Sequence, residues 1–155
     1  MVCTANICRS PMAEGIMRHR LQELGLQRAI RVASAGTRAS LPGHKPDARA
    51  QKALAEAGVS LSRIKARQIT VKDMLRSDYI VAMDTAIYDN LIEMCPPEHR
   101  HKVSLLMSYA PELGMEEVPD PYYGSYSGFE KVFQLIDPAV TQLLGHVVRA
   151  HAEHI

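Results

Sequence analysis

Short apolar runs alternate along this chain with longer stretches of helical spacing, and few folds accept that alternation. "IRVASAG" (30–36), "DYIVAMD" (78–84) and "KVSLLMS" (102–108) are β-branched or continuously apolar and bounded by polar residues, as buried strands are. Between them, "SPMAEGIMRHRLQELG" (10–25) sets Met12, Ile16, Leu21 and Leu24 near one face, with Pro11 in a first-turn position and Gly25 as the stop. "KPDARAQKALAEAGV" (45–59) opens on Pro-Asp and closes on Gly58, and "TAIYDNLIEMCPP" (85–97) ends at a double proline. The last helix is expected over "GFEKVFQLIDPAVTQLLGHVVRAH" (128–151), kinked or restarted at Pro138. The expected fold is therefore α/β: a four-stranded parallel sheet with helices on both faces. Without repeat, linker or low-complexity tract, residues 1–155 are expected to form one domain.

Composition narrows the function classes. A net charge of +1, with acids and bases interspersed, gives no bulk attraction to nucleic acid or anionic membrane. No apolar run approaches a membrane span or a signal-peptide core, so a cytoplasmic location is the expectation. Three cysteines, Cys3, Cys8 and Cys95, are too few for a secreted disulfide framework and fit a reducing compartment. Cys3 and Cys8 lack a second ligand pair at zinc spacing, and no metal is expected.

The chemistry concentrates at "MVCTANICRSP" (1–11). A strand that runs through a short loop into a helix points loop amides and the positive helix end at one spot, which suits an anion. The pattern C-x5-R-S lets residues 3–10 curl into a cup, with the Cys3 sulfur at its base. Arg9 at the helix start can grip two oxygens of a phosphate with its planar fork. The same amides and charge favour an anionic, nucleophilic Cys3, and the Ser10 hydroxyl can donate to it. Asn6 suits a left-handed turn position. Thr4, Ala5, Ile7 and Cys8 complete the loop, and Cys8 is expected to act as a redox guard for Cys3.

The string "VCTANICRSPMAEG", together with "SAGT" (34–37), "PDARA" (46–50), "VAMD" (81–84) and "DPYYG" (120–124), resembles the low-molecular-weight protein tyrosine phosphatases over nearly the whole chain. That resemblance implies hydrolysis of phosphotyrosine through a phosphocysteine intermediate, with no cofactor. It implies Cys3 as nucleophile, Arg9 as phosphate clamp, Ser10 as the stabilising hydroxyl and Asp120 as general acid and then base. Tyr122 and Tyr123 would wall the slot for the substrate ring, with Ser40 or Leu41 opposite, where many members carry an aromatic residue. The implied partner is a phosphotyrosine protein, a tyrosine kinase among the candidates, or a small aryl phosphate, and a monomer is expected.

Two relatives on the same scaffold are the alternatives. Arginine phosphatases carry Thr where Ile7 stands and lack the tyrosine pair. Arsenate reductases need two further cysteines, one near Asp84, and here only Cys95 lies beyond. A phosphate-binding module without activity would be expected to lack Cys3, Arg9 or Asp120. The family has glycine at Ala5, where a left-handed conformation would cost alanine about 1 kcal/mol. It also has several residues ahead of the cysteine. Only Met1 to Cys3 can form that strand here, against a usual five or six residues, so the natural chain is expected to begin upstream with an apolar run.

Overall fold

The computed structural model describes all 155 residues, Met1–Ile155. Four parallel strands, β1 (Val2–Cys3), β2 (Ala35–Gly36), β3 (Ile80–Ala82) and β4 (Val103–Leu105), lie in the order β2-β1-β3-β4. Helices α1 (Arg9–Glu23), α2 (Ala48–Ala55), α3 (Val71–Arg76), α4 (Thr85–Met94) and α5 (Tyr126–Ala150) connect and cover them. The chain leaves β1 for β2 in one direction and β3 for β4 in the other. Right-handed crossovers running in opposite directions put α1 and α4 on opposite faces of the sheet. α5 packs beside α1. The strand order thus reverses between β1 and β3, and a crevice opens beyond their carboxyl ends. Cys3 ends β1 at that crevice, and Asp84 follows β3 there.

The strands are shorter than the apolar runs that encode them. Residues 30–34 carry the right residue types but form no ladder: the register of β1 with β2 starts at Val2 and Ala35, and within 30–34 the Ala33 carbonyl accepts the Met1 amino group at 3.0 Å. A cavity of about 780 Å³ lies behind Met1, lined among others by Val32, Ala33, Tyr79, Ile80 and Val147.

Other boundaries have local causes. The run 102–108 is strand only to Leu105, and Leu106–Tyr109 closes into a 3₁₀ turn that buries Leu106 and Met107. α5 continues through Pro138 without a restart. The carbonyl that Pro138 leaves without a donor belongs to exposed Gln134, where water can serve it. α3 is an element that apolar periodicity does not disclose. It is set by a capping box, in which Thr70 Oγ1 accepts the Asp73 amide and Asp73 Oδ2 accepts the Thr70 amide. One hydrophobic cluster of 36 buried residues joins all these layers, with Phe129, Met12, Ile16, Leu54 and Met83 among its fully enclosed members.

Candidate active site

The loop from Thr4 to Cys8 joins β1 to α1, and its shape follows from one residue. Asn6 is fully buried with φ 59°, the only non-glycine residue with positive φ. Ala5 is not left-handed, so alanine there carries no such strain. The Asn6 side chain is fixed at both ends: Oδ1 accepts the Arg67 amide at 3.0 Å, and Nδ2 donates to Ser10 Oγ at 2.8 Å and Ser34 Oγ at 3.0 Å. Arg67 is in turn held by both carboxylate oxygens of Asp73 at the start of α3. Ser34 donates to buried Glu14 at 2.6 Å. A fully partnered buried network of this kind is rigid.

That network aims the hydroxyl of Ser10. Ser10 Oγ accepts from Asn6, and its single proton is shared between the Cys3 sulfur at 2.9 Å and the more distant Ala35 carbonyl at 3.4 Å. Cys3 itself is 3% exposed at the base of the loop. The start of α1, at Cys8, has no side-chain cap, so its first-turn amides remain open to an anion. Gly36 lets β2 come close: a Cβ there would lie 2.5 Å from the Thr4 carbonyl oxygen.

Arg9 is the buried cation of the site, at 3% exposure. Its Nη1 donates to Asp84 Oδ2 at 2.7 Å and to the Val118 carbonyl at 2.9 Å. The other oxygen of Asp84 accepts the Ile87 amide and caps α4, so this carboxylate anchors Arg9 to the end of β3. Nη2 meets only Thr4 Oγ1 at 3.5 Å and Asp120 Oδ2 at 3.8 Å, which leaves its protons available to an oxyanion. Asp120 sits on the loop before α5, its side chain 45% exposed, with Oδ1 accepting the Tyr122 amide at 3.1 Å.

Cys3, Thr4, Asn6, Arg9, Ser10 and Asp120 therefore converge through a chain of polar contacts. Ala5 and Ile7 shape the rim, and the Ile7 carbonyl accepts the Asp47 amide at 2.8 Å. Cys8 is buried beside them as a free thiol. Burial pushes that thiol upward, and the negative charge of Asp47 adds to the effect, so Cys8 stays protonated where Cys3 faces donors. Tyr122 and Tyr123 stand exposed on the Asp120 loop, their rings edge to face at 5.0 Å. Ser40 and Leu41 are also exposed, on a loop moored to the cup through the Arg38 amide and the Thr4 carbonyl. No hydrogen bond joins these four side chains across the crevice. Cys95 is buried at the end of α4. Sequence reasoning missed Asp84 as the anchor of Arg9, although an acid directly after a buried strand was the available signal.

The geometry defines a class: a sulfur nucleophile and an arginine at a switch-point cup, with a carboxyl above them, suited to a tetrahedral oxyanion. The model of the low molecular weight phosphotyrosine protein phosphatase family matches residues 1–153. The low molecular weight protein-tyrosine-phosphatase of Streptomyces coelicolor is 41% identical over 149 residues, covering 94% of this chain and 90% of its own length. The crystal structure of YfkJ from Bacillus subtilis superposes with a TM-score of 0.91 at 36% identity, covering 96% of this chain and 92% of that one. Wzb of Vibrio vulnificus, solved in complex with benzylphosphonate, gives a TM-score of 0.80 at 32% identity, covering 92% of each chain. The chain belongs to the low molecular weight phosphotyrosine protein phosphatase family. No helix in it is long and apolar enough to cross a membrane.

Proposed function

We propose that this protein is a tyrosine phosphatase that hydrolyses aryl phosphate monoesters through a phosphocysteine at Cys3. The observation that carries this reading is the Ser10 hydroxyl 2.9 Å from the Cys3 sulfur, at the foot of a loop where Arg9 and Asp120 approach to 3.8 Å. The phosphate oxygens are held by the loop amides, the α1 N-terminus and Arg9. Cys3 Sγ attacks phosphorus, the bond from phosphorus to the aryl oxygen breaks, and its electron pair passes to that oxygen. Asp120 supplies the proton that the phenoxide takes. Water then attacks the phosphocysteine while Asp120 takes its proton, and the sulfur leaves with its electrons, steadied by Ser10. Inorganic phosphate is released.

The exposed Tyr122 and Tyr123 beside Asp120 offer the ring of a phosphotyrosine an aromatic wall, and Ser40 or Leu41 offers a smaller one. The benzylphosphonate held by the Vibrio vulnificus relative joins a phenyl ring to a tetrahedral phosphonate, which favours the aryl reading. Ile7 and the tyrosine pair weigh against phosphoarginine. The burial of Cys95 at the end of α4, away from the cup, weighs against an arsenate relay. The test is turnover of an aryl phosphate beside phosphoarginine and arsenate. Preference for the aryl ester is expected, and faster turnover of either competitor would overturn the reading. The protein substrate we propose is a phosphotyrosine protein met in the cytoplasm by a monomeric enzyme.

Cys8 completes the proposal as a redox guard. Peroxide converts the Cys3 thiolate to a sulfenic acid, which condenses with the Cys8 thiol to a disulfide and water. Activity lost to peroxide is expected to return with added thiol in the wild type and to stay lost in Cys8→Ser. Equal recovery in both would reduce Cys8 to a packing role.

A further inference from the structure

The "PDARA" segment takes no part in the chemistry described so far, yet its arginine grips the loop that carries the acid. Arg49 Nη1 donates to the Gly124 carbonyl at 2.9 Å, and Nη2 donates to the Tyr122 carbonyl at 2.9 Å. Tyr122 is thereby held at both ends, since its amide donates to Asp120 Oδ1. Nε and Nη2 also form a fork onto the two oxygens of Asp47, at 3.0 and 2.9 Å. Four of the five guanidinium protons are thus committed. The guanidinium plane lies over the ring of fully buried Phe129, 4.5 Å from its centroid, and 5.8 Å from that of Tyr122.

Asp47 ties this clasp to the cup. Its backbone amide donates to the Ile7 carbonyl, and its side chain caps α2 through the Arg49 amide. Burial works to raise the Asp47 carboxyl, but the hydrogen bonds from Arg49 outweigh it and hold the group below the ordinary carboxylate range. The pair is therefore ionised at neutral pH. One anchor serves both loops. The phosphate loop is bound to it by a backbone bond, and the Asp120 loop by a guanidinium.

We propose that Arg49 is a positioning residue that sets the height and register of Asp120 over the phosphate cup. The proposal rests on the phosphatase reading above. A carboxyl displaced by about 1 Å from its proton acceptor can lose on the order of 10²-fold in rate. Lysine cannot replace the fork, since its three donors radiate from one nitrogen and cannot span Asp47, Tyr122 and Gly124 together.

The experiment compares kcat/KM for phenyl phosphate and p-nitrophenyl phosphate in wild type, Arg49→Lys and Arg49→Ala, each also combined with Asp120→Asn. Arg49→Ala is expected to lose about 10- to 100-fold on phenyl phosphate, whose phenoxide needs a proton. It should lose less than about threefold on the nitrophenyl ester, and Arg49→Lys should recover only part of the deficit. Inhibition by inorganic phosphate should be unchanged, which reports an intact cup in every variant. In the Asp120→Asn background, removing Arg49 should cost nothing further. An equal loss on both esters, an additive loss in the double variant, or weakened phosphate binding would overturn the proposal and make Arg49 a brace for the fold. A wild type inert toward both esters would instead sink the phosphatase reading itself.

Discussion

Cys3→Ser is expected to remove turnover of every aryl phosphate by about 10⁴-fold or more, the scale on which a covalent enzyme loses its nucleophile. The substitution replaces a sulfur nucleophile by a weakly nucleophilic alcohol oxygen, with no side-chain base hydrogen-bonded to it. The side chain that meets position 3, Ser10, carries a hydroxyl, which is no general base at neutral pH. The rest of the cup is untouched, because its shape comes from Asn6 and its charge from Arg9. Vanadate and inorganic phosphate should therefore still bind the serine variant. Arg9→Ala is expected to abolish both turnover and oxyanion binding, since it also leaves Asp84 as an uncompensated carboxylate. The contrast between the two variants separates chemistry from recognition. Retained turnover in Cys3→Ser, measured with an aryl phosphate at saturating concentration, would remove the covalent mechanism.

Asp120→Asn should lower kcat/KM by roughly 10²- to 10⁴-fold for esters of weakly acidic phenols, the usual worth of a placed general acid. The loss should shrink steadily as the phenol becomes more acidic, because a stable phenoxide departs without help. Asparagine keeps the hydrogen bond from the Tyr122 amide, so the loop itself should stay in place. A flat loss across the series, read from the slope of rate against phenol acidity, would mean that the carboxylate only shapes the loop or balances Arg9 at 3.8 Å.

What could be read in the sequence was local, and what could not was tertiary. The strand–loop–helix passage from Val2 to Ser10 was legible because the C-x5-R-S spacing marks a cup, and Asn6 announced the left-handed turn that shapes it. The strand positions were legible too, but not their lengths. Residues 30–34 have strand composition but meet the neighbouring chain only where the Ala33 carbonyl accepts the Met1 amino group, and a ladder needs a run of such pairs. The six-residue α3 buries only Met74, so periodicity had nothing to register, although the capping pair Thr70 and Asp73 stood in plain view. Pro138 predicts a kink or a restart, and α5 runs through it without restarting. Asp84 and Arg49 reach the site from 75 and 40 residues beyond Arg9, and only the sheet order and the α2 anchor bring them there. Ser40 and Leu41 lie on a loop whose facing side chains no spacing rule could name.

The central claim is a covalent bond between the substrate's phosphorus and Cys3. It is tested most directly by acid-quenching the protein, during steady turnover of an aryl phosphate labelled on phosphorus, and mapping the label by peptide mass spectrometry. The expected result is one acid-trapped phosphoryl group on the peptide bearing Cys3. Asp120→Asn should be labelled whenever an acidic phenol leaves, since loss of the base slows the water step, and Cys3→Ser should carry no label. Turnover without any trapped label, or label on a residue other than Cys3, would contradict the account.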